Sequence, residues 1–539
     1  MASKQFFKTL RLIPQKYSND TRGLHSCSYR YVVNSNYQQC TFLTARQSKS
    51  KIVSALHPSK AYYGTQPSSS KITRGPYSRL EAVDIAVFTG ILGKARVING
   101  AEDDLDGFNV DWLKSVRGNA QIVLKPNTTE EVSQIMQHCH SRNLAVVPQG
   151  GNTGLNGGCI AIFDEVVIST SLMNQVINLD ELTGVLTCQS GCVLYTLDEH
   201  VKERGFVMPL DLGAKESCQI GGNLSTNAGG LRVLRYGSLH ATVLGIEAVL
   251  ADGTILDCMS TMKKDNTGYD LKHLFIGSEG TLGILTKVAI QCPIKPNSIN
   301  LAFLGLDSYS KVLETYQKAR NDLGEILSAC EYIDNETMKC AEENMNLKAP
   351  ISSYPYYMMI ETAGSNAVHD EDKLNSFLED SMKLNLVTDG TVASEPSHMK
   401  AIWSTREKLA DAMLKDGYFL IFDFSVPLEI FEKFVQDTRA YLGASVKRVT
   451  GFGHLGDGNI HLNITMEKFN PDVLAKVEPF VYQWVANHKG SISAEHGIGS
   501  KKRHLIHHSK SGESIKIMKQ IKKLLDPKNI MNPYKVLPE

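Results

Sequence analysis

Glycine gathers at three points of this chain, and that pattern constrains the first half more than any other feature. Gly150-Gly151-Asn152-Thr153-Gly154 is followed by Gly157-Gly158, Gly221-Gly222-Asn223 by Asn227-Ala228-Gly229-Gly230, and Gly277-Ser278-Glu279-Gly280 closes the series. Glycine lets a backbone take positive φ and approach a ligand closely, and successive amide N–H groups in such turns converge on phosphate oxygens. Any one cluster could be a tight turn in a β-rich domain. Three of them, interleaved with Asn, Thr and Ser donors, point to a cradle for a diphosphate-bearing cofactor. The literal G-x-G-x-x-G match at Gly451 to Gly456 is a different matter, because it runs on into Asp457, Gly458 and Asn459 and opens no helix.

The flanking pattern predicts a strand, helix, strand unit from Val123 to Pro148. Pro126 ends a strand, Thr128 and Glu131 form a capping box, and Val132, Ile135, Met136 and Cys139 fall at helical spacing before the strand Leu144 to Val147. From Glu165 to Ile290 short β-rich runs follow, with Asp252-Gly253 as a hairpin turn. The Pro293 to Pro296 region marks a boundary. Beyond it, strands at Leu301 to Leu306, Tyr356 to Thr362, Tyr418 to Phe424 and Ile460 to Ile464 alternate with amphipathic helices such as that of Leu374, Phe377, Leu378 and Met382. An α+β chain of several domains is predicted.

Net charge is zero over 539 residues, yet the first 74 hold twelve Lys/Arg against one acid, Asp20, leaving the remainder eleven charges negative. With Phe6, Phe7 and Leu10 beside Lys8 and Arg11, this opening fits a mitochondrial transit peptide, or else a solvated basic tail, joined to the body by a Ser/Pro/Gly-rich linker at Tyr63 to Arg74. The acidic body argues against nucleic-acid binding. No apolar run reaches the length of a membrane span. The eleven cysteines are odd in number and irregularly spaced, so reduced thiols are expected.

His454 and His461 lie at the ends of a Gly/Asp/Asn-rich segment, and Glu495-His496-Gly497 follows. Two imidazoles and one carboxylate suit a divalent metal with open positions, zinc, manganese or cobalt alike. A pair of structurally satisfied histidines is the competing reading of the spacing.

Pro148-Gln149-Gly150-Gly151-Asn152-Thr153-Gly154 after the Thr128 helix resembles the FAD-binding fold shared by vanillyl-alcohol oxidase and p-cresol methylhydroxylase, and the stretch Pro209 to Gly283 resembles the D-2-hydroxyglutarate dehydrogenase family. The resemblance covers roughly residues 110 to 539. It implies a mitochondrial matrix enzyme with a PCMH/VAO-type FAD-binding domain at 76–296 after a transit and linker segment at 1–75. A substrate cap at 297–480 and a C-terminal helical segment at 481–539, returning to the FAD domain, complete the expected order. Pro148, Gly150, Gly151, Asn152, Thr153 and Gly154 would cradle the pyrophosphate, and Pro209, Gly213, Gly222, Asn223, Thr226, Asn227 and Gly230 would line the flavin. Some relatives tether FAD through a histidine beside the Gly-Gly pair. Asn152 stands there, so non-covalent FAD is expected.

The same resemblance implies zinc on His454, His461 and Glu495 and Arg406 as the carboxylate binder, and the chemistry of the residue types suits His496 as the base for the substrate hydroxyl and Asn463 as a hydrogen-bonding partner. Oxidation of D-2-hydroxyglutarate to 2-oxoglutarate is the implied reaction, with electron-transfer flavoprotein as acceptor and a homodimer left open. Two positions depart from the family pattern: Ala410 and Ile421 replace a threonine and a lysine. They weaken the case for a five-carbon diacid and raise that for D-lactate, while a non-catalytic flavoprotein is a further alternative.

Overall fold

The computed structural model describes residues 72–539, so the basic amino-terminal arm lies outside the described residues. Helices and strands are mixed throughout in an α+β arrangement. The first sheet contains β1 (Val97–Asn99), β2 (Ile122–Leu124), β3 (Val146–Gln149) and β4 (Val166–Ser169) in the order β1-β2-β4-β3, parallel except at β1. Between β2 and β3 runs the helix Thr129–Arg142, whose Val132, Ile135, Met136 and Cys139 are buried. Thr128 Oγ1 accepts from Glu131 N at 3.2 Å, one half of the expected capping box. The Glu131 carboxylate accepts from Asn127 N at 2.8 Å and from both terminal nitrogens of Arg96 at 2.7 Å, because a buried-edge guanidinium is a stronger partner than a single amide. The chain's end returns here: Ile530 and Met531 join this core beside β3.

A second, antiparallel sheet holds β5 (Val176–Asp180), β6 (Val185–Gln189), β7 (Val243–Val249), β8 (Ile255–Cys258) and β9 (Ile284–Gln291), in the order β5-β6-β9-β7-β8. Asp252-Gly253 turns β7 into β8 with Gly253 at φ 89°.

The third sheet has seven antiparallel strands: β10 (Ser298–Leu306), β11 (Leu327–Asp334), β12 (Tyr356–Gly364), β13 (Asp389–Ala393), β14 (Tyr418–Ser425), β15 (Arg448–His454) and β16 (Asn459–Met466). Their order is β13-β10-β12-β11-β15-β16-β14. Successive side chains alternate between faces. One face, with Phe422, Phe424, Val449, Leu462 and Ile464, packs under the helices Tyr309–Asp322, Ala367–Lys383, Phe431–Leu442 and Pro471–Asn487. The other places Leu301, Phe303, Ile333 and Phe452 under the helices Asn335–Met345, Pro396–Glu407 and Leu409–Leu414. Beyond Phe452 that face becomes polar, and the candidate site lies there.

Asp416 ties this sheet together just before β14. Its buried carboxylate accepts from Asn344 Nδ2 at 2.7 Å, Lys447 Nζ and Arg448 Nε at 2.8 Å each, and Thr465 Oγ1 at 3.0 Å. Burial alone would push this carboxyl up, but the hydrogen bonds from Asn344, Lys447 and Thr465 and the nearby Arg448 charge hold it at about 2. A depressed carboxylate stabilises the fold above its unfolded value and loses that contribution as pH falls through its folded value. Asp416→Asn is expected to cost about 3–5 kcal/mol in denaturant unfolding near neutral pH, and to flatten the acid limb of stability between pH values of about 4 and about 2. A change below about 0.5 kcal/mol would contradict the network's importance.

Candidate active site

His454 ends β15, and in the sheet register it faces Glu331 of β11 and Asn459 of β16. The turn through Gly458, at φ 75°, sends the chain back so that His461 pairs with Phe452 on one side and Asp423 on the other. Alternation therefore puts Glu331, His454, His461, Asn463, Asp423 and Ile421 on one face. Glu495 and His496 arrive from the loop after the helix Pro471–Asn487. Asp423 fixes that loop: its Oδ2 accepts from the backbone N–H groups of Ala494, Glu495 and His496 at 3.0, 2.9 and 2.9 Å.

Three imidazoles then converge on one carboxylate oxygen. Glu495 Oε1 lies 4.0 Å from His454 Nε2, 3.6 Å from His461 Nε2 and 3.8 Å from His496 Nε2. These separations are too long for hydrogen bonds. They match donors around one ion, since ligand atoms at roughly 2.0–2.2 Å from a metal sit about 3–4 Å apart. Asp423, His461, Glu495 and His496 also offer ligand atoms that all lie within 4.8 Å of one another. Asp423, however, spends Oδ2 on three amides and Oδ1 on Asn459 Nδ2 at 2.9 Å, which suits it to organising the loop. Neither Asp423 nor Glu331 was singled out by the sequence pattern.

Burial drives His461 well below its ordinary value, reinforced by the charge on His454, so His461 presents a neutral ring with a lone pair. For His454, burial acts in the same direction, but the Glu331 and Glu495 carboxylates hold it up at about 9. Burial would push the Asp423 carboxyl up, yet His496, Lys502 and His461 keep it well below the usual carboxylate range. His454 Nδ1 is 2.6 Å from Glu331 Oε1. Arg406, on the helix Pro396–Glu407, is buried, and Glu331, distant in sequence, is its ion-pair partner. Its guanidinium lies 4.6 Å from the centre of the Phe452 ring. Asn463 is buried and donates Nδ2 to His461 O at 3.0 Å.

The glycine clusters surround the other half of the site. Gly150, Gly151, Asn152, Thr153 and Gly154 form the loop after β3, where Pro148 packs against Gly280. A Cβ at Gly151 would come within 2.1 Å of Ser217 O, and one at Gly230, at φ 88°, within 2.1 Å of Asp211 O, so neither backbone could sit so close with a side chain. At Gly154, Gly213 and Gly222 a Cβ would meet nothing within 4 Å. Asn152 takes φ 54° and donates Nδ2 to Gly107 O and Val110 O. The helix Ile220–Thr226, capped by Asn227 in left-handed conformation, carries Gly222, Asn223 and Thr226 just beyond buried Pro209. The Oδ1 atoms of Asn223 and Asn227 are buried without a protein partner, two acceptors suited to the N–H and hydroxyl donors of a flavin nucleotide.

The halves meet through hydrogen bonds. Gly230 N donates to Glu495 Oε2 at 2.8 Å, and Asn156 Nδ2 donates to the carbonyls of His496 and Gly497 at 3.0 and 2.7 Å. The third glycine cluster serves this junction, because Glu279 accepts from Ile498 N at 2.6 Å and Gly499 N at 2.7 Å. Ala410 lies in the first turn of the helix Leu409–Leu414 and Ile421 faces Asn463 across β14 and β16; both are half-buried, and neither brings a polar side chain.

Residues 120–259 match the family described as FAD binding domain, and residues 295–536 that described as FAD linked oxidases, C-terminal domain. The mitochondrial D-2-hydroxyglutarate dehydrogenase of Danio rerio is 56% identical over 466 residues, covering 86% of this chain and 87% of the relative. That of Bos taurus is 53% identical over 472 residues, covering 88% and 86%. Among solved structures, p-cresol methylhydroxylase with substrate bound superposes with a TM-score of 0.68 at 13% identity, covering 84% of this chain and 96% of that one.

Proposed function

This chain belongs to the D-2-hydroxyglutarate dehydrogenase family of FAD-dependent oxidoreductases, and from that membership we propose that it oxidises D-2-hydroxyglutarate to 2-oxoglutarate with a divalent metal, zinc first among candidates, on His454, His461 and Glu495. The observation that carries this reading is the convergence of His454, His461 and His496 on Glu495 Oε1, with the second Glu495 oxygen bound to Gly230 N of the flavin-side loop. When bound, FAD would supply the hydride acceptor and the metal would polarise the 2-hydroxyl.

The protein's own groups do the rest. Arg406 grips a substrate carboxylate, Asn463 hydrogen-bonds a substrate oxygen, and His496 takes the hydroxyl proton at Nε2, held in place by the Asp423 contact to its backbone N–H at 2.9 Å. Pro148 to Gly158 and Pro209 to Gly230 hold FAD without a covalent tether. The relatives' mitochondrial names support a mitochondrial location, and the basic arm supports import to the matrix. Electron-transfer flavoprotein as the acceptor and a homodimer as the assembly belong to the same proposal. Among the described residues no helix is long and apolar enough to cross a membrane.

A D-lactate dehydrogenase is the second reading, favoured by Ile421 and Ala410. Steady-state rates on D-lactate, D-malate and D-2-hydroxyglutarate, with metal analysis of the same preparation, separate the two. The highest kcat/KM is expected for D-2-hydroxyglutarate, and D-lactate exceeding it would overturn the first reading.

A further inference from the structure

We propose that Glu331 is a positioning residue that sets the metal-side histidine and the substrate-side arginine with one carboxylate. The inference rests on the metal reading of His454 given above. Glu331 sits on β11, every residue of which is buried, and is itself only 1% exposed. An isolated carboxylate in such a place would be strongly unfavourable. Here each oxygen has a separate task. Oε1 lies 2.6 Å from His454 Nδ1, while Oε2 accepts from Arg406 Nε at 2.8 Å and lies 2.7 Å from Arg406 Nη2.

The first contact selects a tautomer. With Nδ1–H given to Glu331, Nε2 is the His454 atom left for a metal to take in place of its proton, and it lies 4.0 Å from Glu495 Oε1. The second contact fixes a guanidinium plane, which Phe452 supports from below at 4.6 Å; the Phe452 ring is in turn 5.4 Å from that of His461. The Nη1 edge of Arg406 is then the one presented to a substrate carboxylate. Two sites of different chemistry thereby share one geometric reference.

Glu331→Gln and Glu331→Asp in the full-length, FAD-loaded protein test this. Metal retention against a graded chelator, FAD per polypeptide from absorbance, and KM and kcat for D-2-hydroxyglutarate would be measured together. Glu331→Gln is expected to keep FAD while metal affinity falls about 10–100-fold, with KM raised and kcat lowered. Glu331→Asp keeps the charge and so also guards against a folding failure; partial recovery of metal affinity is expected. Wild-type metal affinity with unchanged KM in folded Glu331→Gln overturns the proposal, as does equal loss of FAD and metal in both variants, the signature of a merely structural ion pair. Wild-type protein that holds no stoichiometric metal would overturn the metal reading itself, a different outcome from variants that hold metal as well as the wild type does.

Discussion

His454→Ala is expected to lower kcat by about a thousandfold or more, while the protein keeps its FAD. Loss of a metal's charge stabilisation removes several kcal/mol from the transition state, and each ~1.4 kcal/mol is tenfold in rate. The site geometry explains why only one half should fail. His454 lies on the seven-stranded sheet beside Glu331, with Glu495 of the following loop 4.0 Å away, whereas the residues proposed to hold FAD lie on the loop after β3 and the helix Ile220–Thr226. Glu331 keeps Arg406 as its partner in the variant, so no isolated buried charge results. Flavin absorbance, bound metal and turnover measured on one sample check this. Substantial turnover after chelation in the variant would remove the metal from the mechanism.

Ile421→Lys is expected to raise kcat/KM for D-2-hydroxyglutarate relative to D-lactate by about 10–100-fold, the equivalent of one charge-assisted hydrogen bond worth roughly 1.5–3 kcal/mol. Ile421 shares a face with Asp423 and pairs with Asn463, which places a lysine there beside the residue proposed to hydrogen-bond a substrate oxygen. The position is half-buried, so an ammonium could keep its charge. Asp423 would not capture it, because its oxygens are already committed to three amides and Asn459. Arg406 in the native chain is ion-paired with Glu331, and β14 carries no cation of its own for the distal end of a diacid. A ratio that stays constant or falls would show that the distal carboxylate is held elsewhere.

Local signals were enough to read the scaffold around the cofactor groove. The Thr128 cap and the spacing of Val132, Ile135, Met136 and Cys139 specify the helix that fills the first sheet, and Asp252-Gly253 gives the β7 to β8 turn. The strands that build the metal-side half were harder to read. Every residue of β11 is buried, so it has no polar alternation, and β15 contains Gly451 and Gly453, which mimic a loop. His454 and His461 were visible as a pair in a flexible segment, yet they lie on a rigid hairpin of β15 and β16. Glu331 and Asp423 escaped because their partners are distant in sequence: a lone acid in a strand looks the same whether it faces solvent or buried cations. The third glycine cluster also carries Glu279, whose grip on the loop after His496 had no local signal because its partners are about 220 residues away.

Anaerobic mixing of the FAD-loaded protein with D-2-hydroxyglutarate, before and after metal removal, tests the central claim most directly. The account predicts rapid bleaching of the flavin absorbance in the metal-loaded protein, none in the metal-free protein, and recovery when zinc is restored. Bleaching at the same rate without metal, or no bleaching in the metal-loaded protein, would contradict it.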